Sequence, residues 1–234
     1  MTDDSELAGL DPFALLDQEA RRLDTFFSRL EDSDWSRPSR CTGWTTRDVL
    51  GHLAAGEEYH RACLDGEVAK LLTQFAERGA TDLDSANALG VAEYAPLSSD
   101  EVLARWRAAG AANRRRFRDR GDGTVDTSVG EYPCRWQAFH VASELATHAD
   151  DIGLPVTEEE HDKRLAWRSR FSRFALAESK PNLEIRVTAG RTIVTDGDVT
   201  ADLVDSELID GVMGRLEETS RVDAASRELL STMP

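Results

Sequence analysis

Cysteine is scarce: Cys41, Cys63 and Cys134 are the three thiols in 234 residues, and no two stand at Cys-x-x-Cys spacing. That count and scatter exclude a disulfide framework and a paired-cysteine zinc site. Long apolar runs are missing too, since no stretch approaches the roughly 18 consecutive apolar residues of a membrane span. The opening MTDDSELAGL has neither the basic flank nor the apolar run of a secretory leader. Positive charge is in deficit, with 28 Lys and Arg against 44 Asp and Glu and a formal net charge of −16. Duplex nucleic acid is thereby excluded as a partner, because its binding rests on neutralising phosphates with basic side chains. The one basic cluster is Arg114, Arg115, Arg116, Arg118 and Arg120, interleaved with Phe117 and Asp119. It falls toward the end of a predicted helix and reads as a solvated face favoured by the C-terminal dipole. A cytoplasmic protein with reduced thiols is expected, and no internal repeat interrupts it.

What is present is helical periodicity over most of the chain. The length suits one domain of about 150 residues plus a smaller one. Phe13, Leu15, Leu16, Leu23, Phe26, Phe27 and Leu30 recur at helical spacing over residues 11–31. Thr45 and Asp48 have the spacing of a reciprocal cap and announce a helix to about Leu64 or Gly66. One helical region is expected over 68–87, a loop over 92–99 around Pro96, and another helix from Ser99 or Asp100 through Phe117. Residues 121–133 hold three glycines and Pro133 and read as a loop with at most a short irregular strand. The next helix, 134–152, is stopped by Gly153 and Pro155, and Thr157 begins a further one. After Pro181 the period shortens to two, at 183–187, 192–194 and 199–201, as in a small sheet. Helices over 206–217 and 224–230 close the chain. The expected organisation is a helical domain over 1–158 and a small α/β domain over 159–234.

One pair on the 134–152 helix carries chemistry. Glu144 and His148 are four residues apart, so a helix places them one turn from each other on one face, close enough to share an ion. His140 extends the stripe but lies about 12 Å from His148 along the axis, at ~1.5 Å per residue. Zinc bonds are near 2 Å, so a third ligand is expected from another helix. His52 and His60 are the candidates, and His161 lies beyond the helix stop. His52 shares a face with Val49, Ala55, Gly56 and Tyr59 and is expected to point inward. His60 stands beside Glu57, Glu58 and Arg61 and is expected to be exposed. Asp151, one turn from His148, either orients a ligand histidine through its distal nitrogen or faces solvent at the helix end. Cys41, Trp44 and Trp136 read as packing residues.

Trp35, Pro38, Cys41, Gly43-Trp44-Thr45, Arg47-Asp48-Val49 and His52 together resemble the amino-terminal signature of the mycothiol-dependent maleylpyruvate isomerase family, within the DinB-like metalloenzymes. Glu144-Leu145-Ala146-Thr147-His148, with Asp151 three residues on, looks like its second signature. The resemblance implies a mainly α fold: an N-terminal DinB-like four-helix bundle and a smaller C-terminal α/β domain. It implies that His52, Glu144 and His148 bind a divalent metal, zinc in first place. Mycothiol, the low-molecular-weight thiol of actinobacteria, is the implied cosubstrate, and its metal-bound thiolate would attack a small electrophile. That makes an isomerase or an S-transferase. Leu208 to Arg215 resembles the family's apolar helix ending in Gly-Arg, which makes Arg215 the candidate contact for an anionic substrate. The alternatives are a metal-dependent hydrolase using bound water and a metal-binding protein without catalysis.

Overall fold

A computed structural model of the chain describes residues 3–232. By their contacts these residues form two units, one of Asp11–Leu154 and one made of the residues through Leu10 together with those from Pro155 onward.

In the first unit, each helix begins where the side chains supply a cap. Helix α1 (Pro12–Phe27) starts with the Asp11 carboxylate accepting from the Phe13 and Ala14 backbone N–H groups, and Pro12 occupies its first turn. Helix α2 (Thr46–Asp65) opens with the reciprocal Thr45–Asp48 cap and ends at Gly66, whose φ of 71° suits a residue without Cβ. The expected helical region over 68–87 divides into α3 (Val68–Glu77) and α4 (Leu83–Tyr94). Gly79 turns the chain at φ 96°, and the Asp82–Ser85 cap restarts it. Because α4 runs on through Tyr94, the loop expected from residue 92 shrinks to the turn containing Pro96. Helix α5 spans Ser99–Arg120. The segment expected as a loop folds into an antiparallel hairpin of β1 (Thr124–Thr127) and β2 (Gly130–Pro133). Helix α6 (Cys134–Asp151) follows at once, and Gly153 takes φ 70° just beyond it.

Helices α1, α2, α5 and α6 form the bundle, with α1 packed on α6 and α5, and α2 on α5 and α4. Its core takes Leu16, Leu23 and Phe27 from α1, Leu50 from α2, Trp106 and Phe117 from α5, and Phe139 from α6. Ala138, Ala142, Ala146 and Ala149 of α6 are also buried, and side chains this small let neighbouring helices approach closely. The loop before α2 is tied down. Pro38 bridges Thr45, Ser39 N–H donates to Trp44 O at 2.9 Å, and Arg40 N–H donates to Asp151 O at 2.9 Å. Arg47 donates to the carbonyls of Tyr94 and Leu97, both at 2.8 Å, fastening α2 to the end of α4.

In the second unit, α7 (Glu158–Ser179) is capped by Thr157 and Glu160. Strands β3 (Glu184–Thr188), β4 (Arg191–Asp196) and β5 (Val199–Leu203) form an antiparallel sheet in that order. Val194, Ala201 and Leu203 are buried on it, and α8 (Asp205–Val212) packs against the sheet and α7. The helix expected over 206–217 stops at Val212 because Gly214 turns the chain at φ 65°. Helix α9 spans Ala224–Leu230. A short 3-10 turn, Ser5–Leu7, lies on α7, where Arg173 holds Glu6 through contacts of 2.9 and 2.8 Å. Among the described residues no helix is long and apolar enough to cross a membrane. The chain is thus mainly helical with a small strand part, a helical bundle in one unit and a small α/β portion in the other.

Candidate metal centre

Helices α2 and α6 bring together three side chains inside the first unit. One ligand atom from each of His52, Glu144 and His148 lies within 4.8 Å of the others. His52 Nε2 stands 3.3 Å from Glu144 Oε1, and the His52 and His148 rings meet edge to face with centroids 4.7 Å apart. Both histidines are buried, whereas the Glu144 side chain keeps 33% of its exposure and so leaves one side of the cluster open. Trp44, from the loop before α2, packs on His52 with ring centroids 5.1 Å apart. This donor set fits a divalent cation of the zinc type: two imidazoles and a carboxylate, with a side left open.

The far nitrogen of His148 is occupied. Its Nδ1 lies 3.0 Å from Asp151 Oδ2, one turn along α6. An Nδ1–H donated to that carboxylate leaves Nε2 as the nitrogen with a free lone pair. Asp151 is buried rather than solvent-facing, at 3% exposure. The Cys41 thiol also donates to Asp151 Oδ2, at 3.1 Å, and its sulfur is 3.8 Å from His148 Nδ1. Cys41 therefore does more than pack. Burial pushes the His148 pKa down, the neighbouring His52 adds to that, and Asp151 opposes it. A neutral imidazole is the form that can donate a lone pair.

His60 corrects the sequence-based expectation most sharply. Expected at the surface, it is 5% exposed, one turn beyond Gly56 on α2. Its Nε2 faces Glu144 Oε2 at 3.7 Å and its Nδ1 faces Glu57 Oε2 at 3.5 Å, distances of ion contact rather than of good hydrogen bonds. Glu57 is buried in turn, and Asn113 of α5 donates to both its carboxylate and its backbone carbonyl at 2.8 Å. Burial alone would lower the His60 pKa, but the carboxylates of Glu144 and Glu57 outweigh it and push it up to about 10. Burial likewise works to raise the Glu144 pKa, and contact with His52 and His60 wins, holding it well below the usual carboxylate range. The signal available in the sequence was the Glu57-x-x-His60 spacing, which puts the two on one helix face.

The remaining candidates have other partners. His140 turns to the Tyr132 hydroxyl, 3.1 Å from its Nε2, and His161 is exposed beside Asp162. Trp136 packs on Tyr132 at 5.8 Å. Arg215 belongs to the second unit, where it follows Gly214 beyond α8 and donates to Met213 O at 3.2 Å. Of the arginines of α5, Arg115, Arg118 and Arg120 are exposed as a solvated face requires, and they carry surface contacts: Arg114 and Arg118 pair with Asp17, Arg116 with Asp65, and Arg120 donates to the carbonyls of Thr124 and Leu64.

Residues 16–153, more than half of the chain, match the family model of the mycothiol maleylpyruvate isomerase N-terminal domain. Two solved structures resemble the chain. The crystal structure of the mycothiol-dependent maleylpyruvate isomerase has a TM-score of 0.54 at 17% identity, over 76% of this chain and 72% of that one. A mutant of the same enzyme, with one histidine replaced by alanine, has a TM-score of 0.53 at the same identity and coverage. At this identity the likeness speaks for the fold. No curated protein matches the chain in sequence.

Proposed function

The chain belongs to the mycothiol maleylpyruvate isomerase family, a family of enzymes, and on that premise we propose that it is a metal-dependent, mycothiol-using isomerase or S-transferase acting on a small electrophile. The observation that carries the reading is the convergence of His52, Glu144 and His148 within the matched domain. These three side chains would hold the ion, with zinc the best match to two imidazoles and one carboxylate. Bound there, a divalent ion supplies one thing: it favours the thiolate of mycothiol, the reactive form of a thiol that is mostly protonated at neutral pH.

The chain's own residues do the rest. His52 and His148 present imidazoles from two helices, Glu144 supplies a negative charge, and Asp151 fixes the His148 ring through Nδ1. Trp44 packs on His52, while the exposed part of Glu144 would leave a way in for a ligand. With the nucleophile brought by mycothiol, no cysteine of the chain is required. Burial pushes the Cys63 and Cys134 thiols up to about 11, which leaves both poor nucleophiles.

Isomerisation and conjugation differ in the fate of the thiol. In an isomerisation the sulfur bonds to an electrophilic carbon, a double bond becomes single and rotates, and the same carbon–sulfur bond then breaks, returning mycothiol. In an S-transfer that bond persists in the product. The test is a product assay with zinc, mycothiol and maleylpyruvate added separately and together. Isomer formed only with all three present, mycothiol being conserved, supports isomerase activity, and mycothiol consumed into a conjugate supports transferase activity. Turnover of an ester or amide that is indifferent to mycothiol would contradict both.

A further inference from the structure

Asn113, Glu57 and His60 form a buried polar chain that the proposed chemistry leaves unused. Glu57 and His60 lie one turn apart on α2 and Asn113 faces them from α5, with exposures of 4%, 5% and 4%. Burying a carboxylate and an imidazole inside a helical bundle costs stability unless each is paired. An apolar residue at position 60 would avoid that cost and would still pack on Phe117, whose ring centroid is 6.2 Å away. The neighbouring helix nevertheless makes room for the charge. A Cβ at Gly110 of α5 would stand 2.8 Å from Glu57 Oε1, closer than carbon and oxygen pack. The chain also has a direction. It begins at Asn113, which grips Glu57, passes through a ring with a carboxylate at each nitrogen, and ends at Glu144 Oε2. Each ring nitrogen thus faces a carboxylate at ion-contact distance, with no hydrogen bond made by Nδ1 among the described residues.

We propose that His60, anchored through Glu57 to Asn113, is a positioning residue for Glu144: it faces Oε2 and so keeps Oε1 turned toward His52. The inference rests on the reading of Glu144 as a metal ligand. Glutamate has three rotatable side-chain bonds, and this one is partly open to solvent, so contacts on both oxygens are what define its direction. Partners of this kind behind a ligand are typically worth about 10–100-fold in metal affinity.

Two variants of the full chain separate positioning from mere packing. In His60→Gln the terminal amide reaches about as far as Nε2 and serves Glu144. In His60→Asn it reaches about as far as Nδ1 and serves Glu57. Zinc affinity is measured by competition with a chromophoric chelator, the visible spectrum of the cobalt(II) form reports ligand geometry, and thermal melting of the zinc-free proteins checks folding. The expected result is that His60→Gln binds zinc within about threefold of wild type with an unchanged cobalt spectrum, while His60→Asn loses about 10–100-fold and its spectrum shifts. Equal affinities in the two variants, whether both match wild type or both are weakened, overturn the proposal while leaving the ligand reading intact. A wild-type chain that binds no zinc overturns both.

Discussion

His148 is held by a carboxylate of its own helix three residues away, whereas Glu144 is faced by an imidazole from a second helix whose anchor lies on a third. The first arrangement follows from helix geometry alone, since residues i and i+3 are neighbours wherever the helix packs. The second exists only once α2, α5 and α6 are assembled, and it needs a glycine on α5 to admit the Glu57 carboxylate. Local support comes with the helix; remote support, as proposed, would tie the direction of a candidate ligand to the packing of the bundle. The two arms should therefore respond differently to perturbation.

The largest effect is expected at the point where the local arm ends. His148→Ala should weaken zinc binding by more than about 100-fold, beyond the loss of an outer partner; calorimetric titration that finds affinity retained would remove the local arm from the centre. Asp151→Asn keeps the shape but loses the charge behind His148, and should cost about 10–100-fold in zinc affinity. An unchanged value would leave the remote arm as the one that matters.

The glycines sharpen the contrast in stability. Gly110→Ala forces its Cβ against Glu57 Oε1 and Arg114 Nη1, each at 2.8 Å, and should destabilise the protein by about 1–3 kcal/mol in urea unfolding. Gly56→Ala meets Glu144 Oε1 only at 3.8 Å, an ordinary contact, so the gain in helix propensity should make it neutral or up to ~1 kcal/mol stabilising. The reverse order would mean that α5 does not shape the remote arm. The smallest effect is expected for Cys41→Ala, which removes one neutral donor to Asp151 and should change zinc affinity by no more than about fivefold. A larger loss would make the loop before α2 an equal partner in holding His148.

The division between the arms is also the division in what the sequence discloses. Caps at Thr45 and Asp48, the Gly66 and Gly153 stops and the four-residue spacing of Glu144 and His148 are local, and each is present where the pattern puts it. The charged neighbours of His60 suggest a solvated face, and that signal is misleading. Helix α2 is in fact buried on more than one side, covered by α4, α5 and the β1–β2 hairpin. Glu57 could not be recognised as an interior residue from its own neighbours. Its partners Asn113 and Gly110 stand more than fifty positions away, and only packing brings them to it. The divided α3–α4 region and the short α8 are hidden for a simpler reason: a glycine that turns the chain leaves the apolar pattern around it almost unchanged.

The convergence of His52, Glu144 and His148 on one ion is tested most directly by zinc stoichiometry. The full chain is equilibrated with zinc, desalted, and assayed by elemental mass spectrometry beside a His52→Ala, Glu144→Gln double variant that melts as a folded protein. One zinc per wild-type chain and none in the variant is the expected result. A wild type without zinc, or a variant that retains it, would contradict the assignment.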